Sequence, residues 1–203
     1  MRPNVQPETI VQTDSIACIQ GEEYIEDLVY AISNRREIRL AYQAYHQDKA
    51  FDRKLFPLLL KEYRNRWYLL AYKFAEKKIK TYGLDRVKRL KVSDNTVHEE
   101  IDFDPLYYFK HSFGITTPDV PVKKVVLRFS KAEAPYVRSL PIHPTQEIIE
   151  ETDEFLTVAI TVTLSYELYE YILSKSPDIK VLEPAEVISE IAKRASETKK
   201  NYE

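Results

Sequence analysis

The sequence predicts an α+β chain of two units: a small curled β-barrel behind one helix, followed by a βαββαβ unit. Three observations carry this expectation. From Ile38 to Val92, apolar and aromatic residues are interleaved with Lys and Arg in the short-period manner of strands. After TTPDVP, near residues 115–121, that pattern gives way to longer strands alternating with helices. The charge divides along the chain as well. Residues 51–92 hold 13 Lys and Arg against 4 Asp and Glu, net +9, while residues 1–50 hold 5 against 8 and residues 93–203 hold 12 against 20.

Taken in order, residues 1–21 are polar and without sustained period, and read as a linker or arm. GEEYIEDLVYAISNRR spaces Tyr24, Ile25, Leu28, Val29 and Ile32 for one face of a helix, with acids early and arginines late, as the helix dipole favours. REIRLAYQAY then alternates, Ile38, Leu40 and Tyr42 against Arg39 and Ala41. Four or five short strands in the next 55 or so residues suit a curled barrel better than an open sheet. DPLYYFKHSFGI predicts a short helix opened by Asp104-Pro105 and stopped near Gly114, and the first unit is taken as residues 22–118.

From 119 to 203 the order is strand (KKVVLRFS), helix (KAEAPYVRSL, with Ala134, Val137 and Leu140 inward), a hairpin (TQEIIEET and EFLTVAITVTL), helix (SYELYEYILSKS, capped by Ser165), strand (IKVLEP) and a closing helix entered through Pro184. That order is the split βαβ of a ferredoxin-like unit.

Several functions find no support in the residues. No run of about 18 apolar residues is present, so no membrane span is expected. The single cysteine, Cys18, and the lack of a signal-like N-terminus point to the cytosol. Three glycines leave no phosphate-wrapping loop, and His46, His98, His111 and His143 are scattered without metal-ligand spacing. Neither an enzyme nor a cofactor is expected.

The combination of motifs resembles the WYL-domain family of bacterial transcriptional regulators. Trp67-Tyr68-Leu69 stands inside RWYLLAY, preceded by REIRLAY and by RKLFP, with Arg53 four before Pro57, and followed by YGLDRV. FDP, SFGI, the His143 to Gln146 segment and VLEP resemble the family's C-terminal extension, so the likeness covers roughly residues 22–203. It implies an SH3- or Sm-like barrel that senses an effector, associated with nucleic-acid ligands, and a ferredoxin-like extension that makes dimer contacts. Operator DNA would be bound through a helix-turn-helix domain, for which the stretch before Gly21 is too short. Where family members often carry arginine this chain has Lys80, which keeps the charge without the planar fork. Gly83 is a second departure.

Alternation in RNRWYLLAY places Arg66, Tyr68, Leu70 and Tyr72 on one face, and Trp67, Leu69 and Ala71 on the other, where core packing is expected. In KTYGLDRV it groups Lys80, Tyr82, Leu84 and Arg86. If those faces meet, Tyr68, Tyr82, Lys80, Arg86 and Arg53 form a patch fit for single-stranded DNA or RNA, or a nucleotide-like effector. Cations would neutralise phosphates, and rings would stack on bases at about 1–3 kcal/mol each. Arg66 joins the candidates, with His143 and Gln146 reaching over from the second unit. Each has a plainer role: a core tyrosine for Tyr68, an ion pair with Asp85 for Arg86, a turn for His143 and Gln146. The competing functional reading is a protein-interaction and oligomerisation module without a nucleic-acid ligand, its basic barrel meeting an acidic surface such as the extension of a partner subunit.

Overall fold

The computed structural model describes residues 20–116 and 120–203, so most of the expected arm, Cys18 included, lies outside the described residues. The chain is a mixed α+β protein that divides into two compact units, one ending at Asp102 and the other starting at Phe103.

In the first unit, α1 (Ile25–Ser33) precedes five antiparallel strands: β1 (Arg36–Tyr42), β2 (Phe51–Tyr63), β3 (Arg66–Lys73), β4 (Lys78–Gly83) and β5 (Val87–Thr96). They form one sheet in the order β4-β3-β2-β1-β5. Laid flat, strands about 4.8 Å apart would separate β4 from β5 by about 19 Å. Yet a single 3-10 turn, Leu84–Arg86, joins them, and the span from Gly83 to Val87 reaches at most about 14 Å. The sheet therefore curls. Its inner face holds Ile38, Leu40, Leu55, Leu69, Ala71 and Leu84, with Leu28 and Ala31 of α1 against them and Trp67 packed at the margin. Gly21, at φ 96°, lets the start of this unit sit on the 3-10 turn: a Cβ there would stand 2.5 Å from the Leu84 backbone. Arg64 and Asn65 both take positive φ in the two-residue turn between β2 and β3, and the Asn65 amide donates to Glu62 at 2.6 Å.

The second unit contains α2 (Pro105–Phe109), β6 (Val122–Ser130), α3 (Ala134–Ser139), β7 (Glu147–Glu151), β8 (Phe155–Thr163), α4 (Tyr166–Ser174), β9 (Ile179–Glu183) and α5 (Ala185–Lys200). Its antiparallel sheet runs β7-β8-β6-β9. Leu156, Val158, Ile160 and Val162 of β8 pack with Val125, Leu127 and Phe129 of β6 and with Leu168, Ile172 and Val187. The division falls ahead of the expected 118/119 boundary because the segment after α2 bonds to this unit. The Thr163 amide donates to the His111 carbonyl at 2.8 Å, and Glu167 accepts from the Thr116 amide at 3.1 Å. Asp104 caps α2, accepting from Leu106 N at 2.8 Å, and Ser165 caps α4 while donating to the Phe113 carbonyl at 2.9 Å.

Two core expectations are corrected. Leu140 is 77% exposed because α3 ends at Ser139 and Leu140 is already extended, so helical spacing no longer aims it inward. Val29 is 51% exposed, since the buried stripe of α1 runs through Leu28 and Ala31.

Candidate functional site

The inner face of the first sheet changes character at one rim. On β3 the inward series Trp67, Leu69, Ala71 ends in Lys73; on β2, Arg53 follows Leu55 toward the strand's start; on β4, Lys80 adjoins Tyr82; on β1, the series Ile38, Leu40 ends in Tyr42. Here four strands exchange aliphatic side chains for cations and phenols. A cleft of about 290 Å³ opens at this rim, lined by Arg53, Lys73, Lys80 and Tyr82 with Tyr42 and His46.

Tyr82 is the residue to explain. It is 4% exposed, its ring meets that of Tyr42 edge-on at 5.1 Å, and its hydroxyl oxygen is buried with no hydrogen-bond partner. Burial pushes the phenol up to about 12, against the opposing pull of the Arg53 charge. Tyr42 is also raised by burial, Arg86 opposing, and its hydroxyl accepts from the Gly83 amide at 3.3 Å. A buried hydroxyl left without a partner costs free energy, and such atoms are rare unless something else meets them.

Glu76, in the turn between β3 and β4, supplies an internal carboxylate. It forms ion pairs with both Lys73 and Lys80, and those hydrogen bonds hold its carboxyl at about 2. Arg53 has no acidic partner among the described residues.

A second cluster surrounds Asp85. Its carboxylate accepts from Tyr45 Oη at 2.5 Å and pairs with Arg66 and Arg86 at 3.4 Å each. The Arg86 guanidinium lies 5.2 Å from the Tyr45 ring centroid and 5.6 Å from that of Tyr42. The hydrogen bond with Tyr45 raises Arg66 further above its ordinary range. Gly83 leaves room for this packing: a Cβ there would overlap the ends of the Arg86 and Asp85 side chains, which would have to swing aside.

Of the residues expected from sequence, Arg53, Lys80 and Tyr82 come together in the cleft, while Arg66 and Arg86 converge on Asp85 beside it. Tyr68 does not join them. In the β3–β4 register Leu69 faces Tyr82, Ala71 faces Lys80, and Tyr68 faces Gly83. Directly opposed residues share a face, so the Tyr68 face and the Lys80–Tyr82 face are opposite sides of the sheet. The expected meeting of those faces is corrected by this one-residue offset.

His143 and Gln146 serve their own turn. His143 Nδ1 accepts from the Thr145 amide at 3.2 Å and lies 2.8 Å from its hydroxyl, the ring stacks on Phe113 at 6.2 Å, and burial lowers its pKa. Gln146 accepts from the Ile142 amide at 3.0 Å and donates to the Val137 carbonyl at 3.2 Å. Sequence reasoning missed Lys73, Tyr45 and Glu76. The signal for Lys73 was present, because it continues the Trp67, Leu69, Ala71 series.

Among the described residues no three His, Cys, Asp or Glu side chains group as metal ligands, and no helix is long and apolar enough to cross a membrane.

The WYL domain family model matches residues 23–92, and the WCX domain family model matches residues 121–198. No curated protein matches. Among solved structures, the chain is similar to Proteasome accessory factor B/C (PafBC) of Arthrobacter aurescens, at 20% identity and TM-score 0.41, over 91% of this chain and 29% of that one. It is also similar to the crystal structure of a CRISPR Cas-related protein, at 13% identity and TM-score 0.55, over 88% of this chain and 51% of that one. The chain thus spans less than a third of the first and about half of the second, and with the second it shares a fold. With a WYL domain over the curled sheet and a WCX domain over the second unit, the chain belongs to the WYL-domain family.

Proposed function

We propose that this chain is the effector-sensing and dimerising part of a cytosolic transcriptional regulator. Its first unit, read as an SH3/Sm-like barrel, takes a phosphate-bearing ligand in the cleft of Arg53, Lys73, Lys80 and Tyr82. The ligand class is single-stranded DNA or RNA, or a nucleotide-like effector. The observation that carries this is the buried, unpartnered Tyr82 hydroxyl in a cleft lined by three cations. A phosphate oxygen there would accept from the Arg53 fork, and from the phenol once the cleft opens enough to bare its buried hydroxyl, while Lys73 and Lys80 neutralise its charge. Tyr45, 74% exposed on the loop that brings His46 to the cleft, offers a ring to an unpaired base.

The second unit is read as ferredoxin-like, because the order β9-β6-β8-β7 is that of a split βαβ, and it would hold the homodimer. Ligand binding would shift the population between arrangements of the two units and so of DNA-binding heads carried elsewhere, operator DNA being the task of a helix-turn-helix domain.

Fluorescence anisotropy with labelled short single-stranded DNA and RNA over a salt series tests the reading. Binding that weakens steeply with salt is expected. No binding at low salt, or binding indifferent to salt, overturns it. The second reading, an interaction and oligomerisation module without nucleic acid, draws on β7, an edge strand exposed throughout, with Ile148 and Ile149 about half exposed. Salt-sensitive self-association in light scattering, without oligonucleotide binding, would favour it.

A further inference from the structure

The opposite face of the same sheet carries a charge pattern that the cleft does not use. On β1 the outward residues are Glu37, Arg39 and Ala41, since Ile38, Leu40 and Tyr42 point into the core. Arg39 stands directly opposite Lys54 of β2 on one side and Lys91 of β5 on the other. Three cations thus form one row across three strands, about 4.8 Å apart from strand to strand. In the next row, Ala41 lies between Asp52 and Arg89. A cavity of about 510 Å³ is lined by Arg39, Lys54, Lys91, Asp52 and Arg89, together with Arg53.

Like charges at directly opposed positions destabilise a sheet. The acids present answer only part of this. Glu37, 5% exposed, pairs with Lys54 at 2.8 Å, and Asp52 pairs with Arg89 at 3.2 Å. Arg39 and Lys91, both exposed, have no acidic partner among the described residues. The second oxygen of Glu37 is itself buried without a hydrogen bond, so that carboxylate is committed to Lys54 and does not reach across the row.

We propose that this outer face of β2, β1 and β5 is a second docking surface, one that takes the phosphate backbone of a nucleic acid without reading its bases. The partner follows from what the face lacks. Ala41, 8% exposed, sits between its rows, and in the β2–β1 and β1–β5 pairings no exposed ring or aliphatic side chain stands among these cations, the half-buried Tyr72 lying across β2 on β3. Protein interfaces are built around desolvated apolar or aromatic anchors and are poor in Lys, so an acidic protein finds no such anchor here. With no exposed ring among the cations themselves, an unpaired base gains little over them. A backbone of regularly spaced phosphates needs only the cations, and replacing its condensed counterions with them is favourable. Arg39, Lys54 and Lys91 point to the other side of the sheet from the cleft, and Arg53 is the one cation that lines both cavities.

The test is anisotropy of a labelled 30-base-pair duplex with the full chain, from about 25 to 200 mM salt, beside the double variant Arg39→Ser/Lys91→Ser. The parent should bind with a slope of log K on log salt near −3 to −4, and the variant should lose about 2 units of slope and at least tenfold in affinity at low salt. The variant should keep its Tm, or raise it as the like-charge row is relieved, and should bind short single strands in the cleft as the parent does. Duplex binding unchanged in the variant overturns the proposal, as does no duplex binding by the parent at 25 mM salt. Self-association in light scattering that the variant abolishes, without duplex binding by the parent, assigns the face to an acidic protein surface instead. If duplex binding falls while single-strand binding persists, the outer face stands whatever becomes of the cleft.

Discussion

The two units are near equals in length and both are built on antiparallel sheets, yet they distribute their charged side chains differently. In the second unit, Ser165, His143, Gln146 and Glu167 each make at least one hydrogen bond that fastens a loop, cap or turn. In the first, Tyr82 makes none, and cations stand together at the rim and across the outer face. A polar group that finishes a local network contributes stability. A buried donor with no partner, or a row of like charges, costs stability unless another molecule meets it. Each unit also holds buried polar atoms without a partner, Glu37 Oε1 and Tyr82 Oη in the first and His143 Nε2 and Glu167 Oε2 in the second, so it is the grouped cations that set the first unit apart and on which the proposed binding role rests.

The largest expected effect exploits the Tyr82 phenol. Its pKa is about 12 when folded, against an ordinary value of 10. Between pH 10 and 12 the unfolded chain has lost this proton while the folded chain keeps it. Stability fully present below pH 10 is therefore lost as pH rises toward 12, by about 2 kcal/mol in all. Urea unfolding from pH 8 to 11.5 should show this fall, and Tyr82→Phe should show a shallower one, Tyr42 remaining in both. At pH 7 the variant should be as stable as the parent or up to about 1 kcal/mol more so, since it removes an unsatisfied hydroxyl, while binding oligonucleotides more weakly. A variant clearly less stable at pH 7 would mean that the hydroxyl has an internal partner, and the cleft would lose its main support.

Next comes a matched pair, one substitution in each unit. Ser165→Ala removes the α4 cap and the bond to the Phe113 carbonyl, and should cost about 1–2 kcal/mol in urea unfolding with ligand binding unaffected. Arg53→Ala should do the reverse: about a tenfold loss of oligonucleotide affinity, with stability within about 0.5 kcal/mol. If both variants changed both quantities alike, the division of labour between the units would fail.

How much of this could be read from the sequence depended on whether the signal was local. The strands, the Asp104 and Ser165 caps and the Trp67, Leu69, Ala71 core face follow from period and capping chemistry within a few residues. The register between β3 and β4 does not. The turn of Phe74 to Lys77 brings Lys73 opposite Lys78, so each odd-numbered residue of β3 faces an even-numbered one of β4. Which side of β4 meets which side of β3 depends on the length of that turn, and a slip of one residue exchanges every side chain between faces. That is why Tyr68 was grouped with Lys80, and why Lys73 was overlooked. The row of Lys54, Arg39 and Lys91 was hidden for the same reason, since its members lie on three strands whose alignment no single stretch reveals. Leu140 was misplaced by a helix end one residue earlier than its apolar spacing implied.

The smallest effect is the sharpest on mechanism, because it concerns a group that competes with the ligand. Glu76 already holds Lys73 and Lys80, and at neutral pH its carboxyl, at about 2, is fully ionised. An incoming phosphate must share those lysines with it or displace it. The pair is exposed, so its contribution to stability is small and screened by salt. Glu76→Gln keeps the shape and removes the charge. It should therefore leave Tm nearly unchanged and tighten oligonucleotide binding by about threefold, with a larger gain at low salt than at high. It should also be non-additive with Lys80→Ala, because once the lysine is gone the carboxylate has less to withhold. Unaltered affinity in Glu76→Gln would place the phosphate away from Lys73 and Lys80 and leave the Asp85 cluster of Arg66 and Arg86 as the anion site. Weakened affinity would mean that Glu76 orients the two lysines for the ligand instead of competing with it.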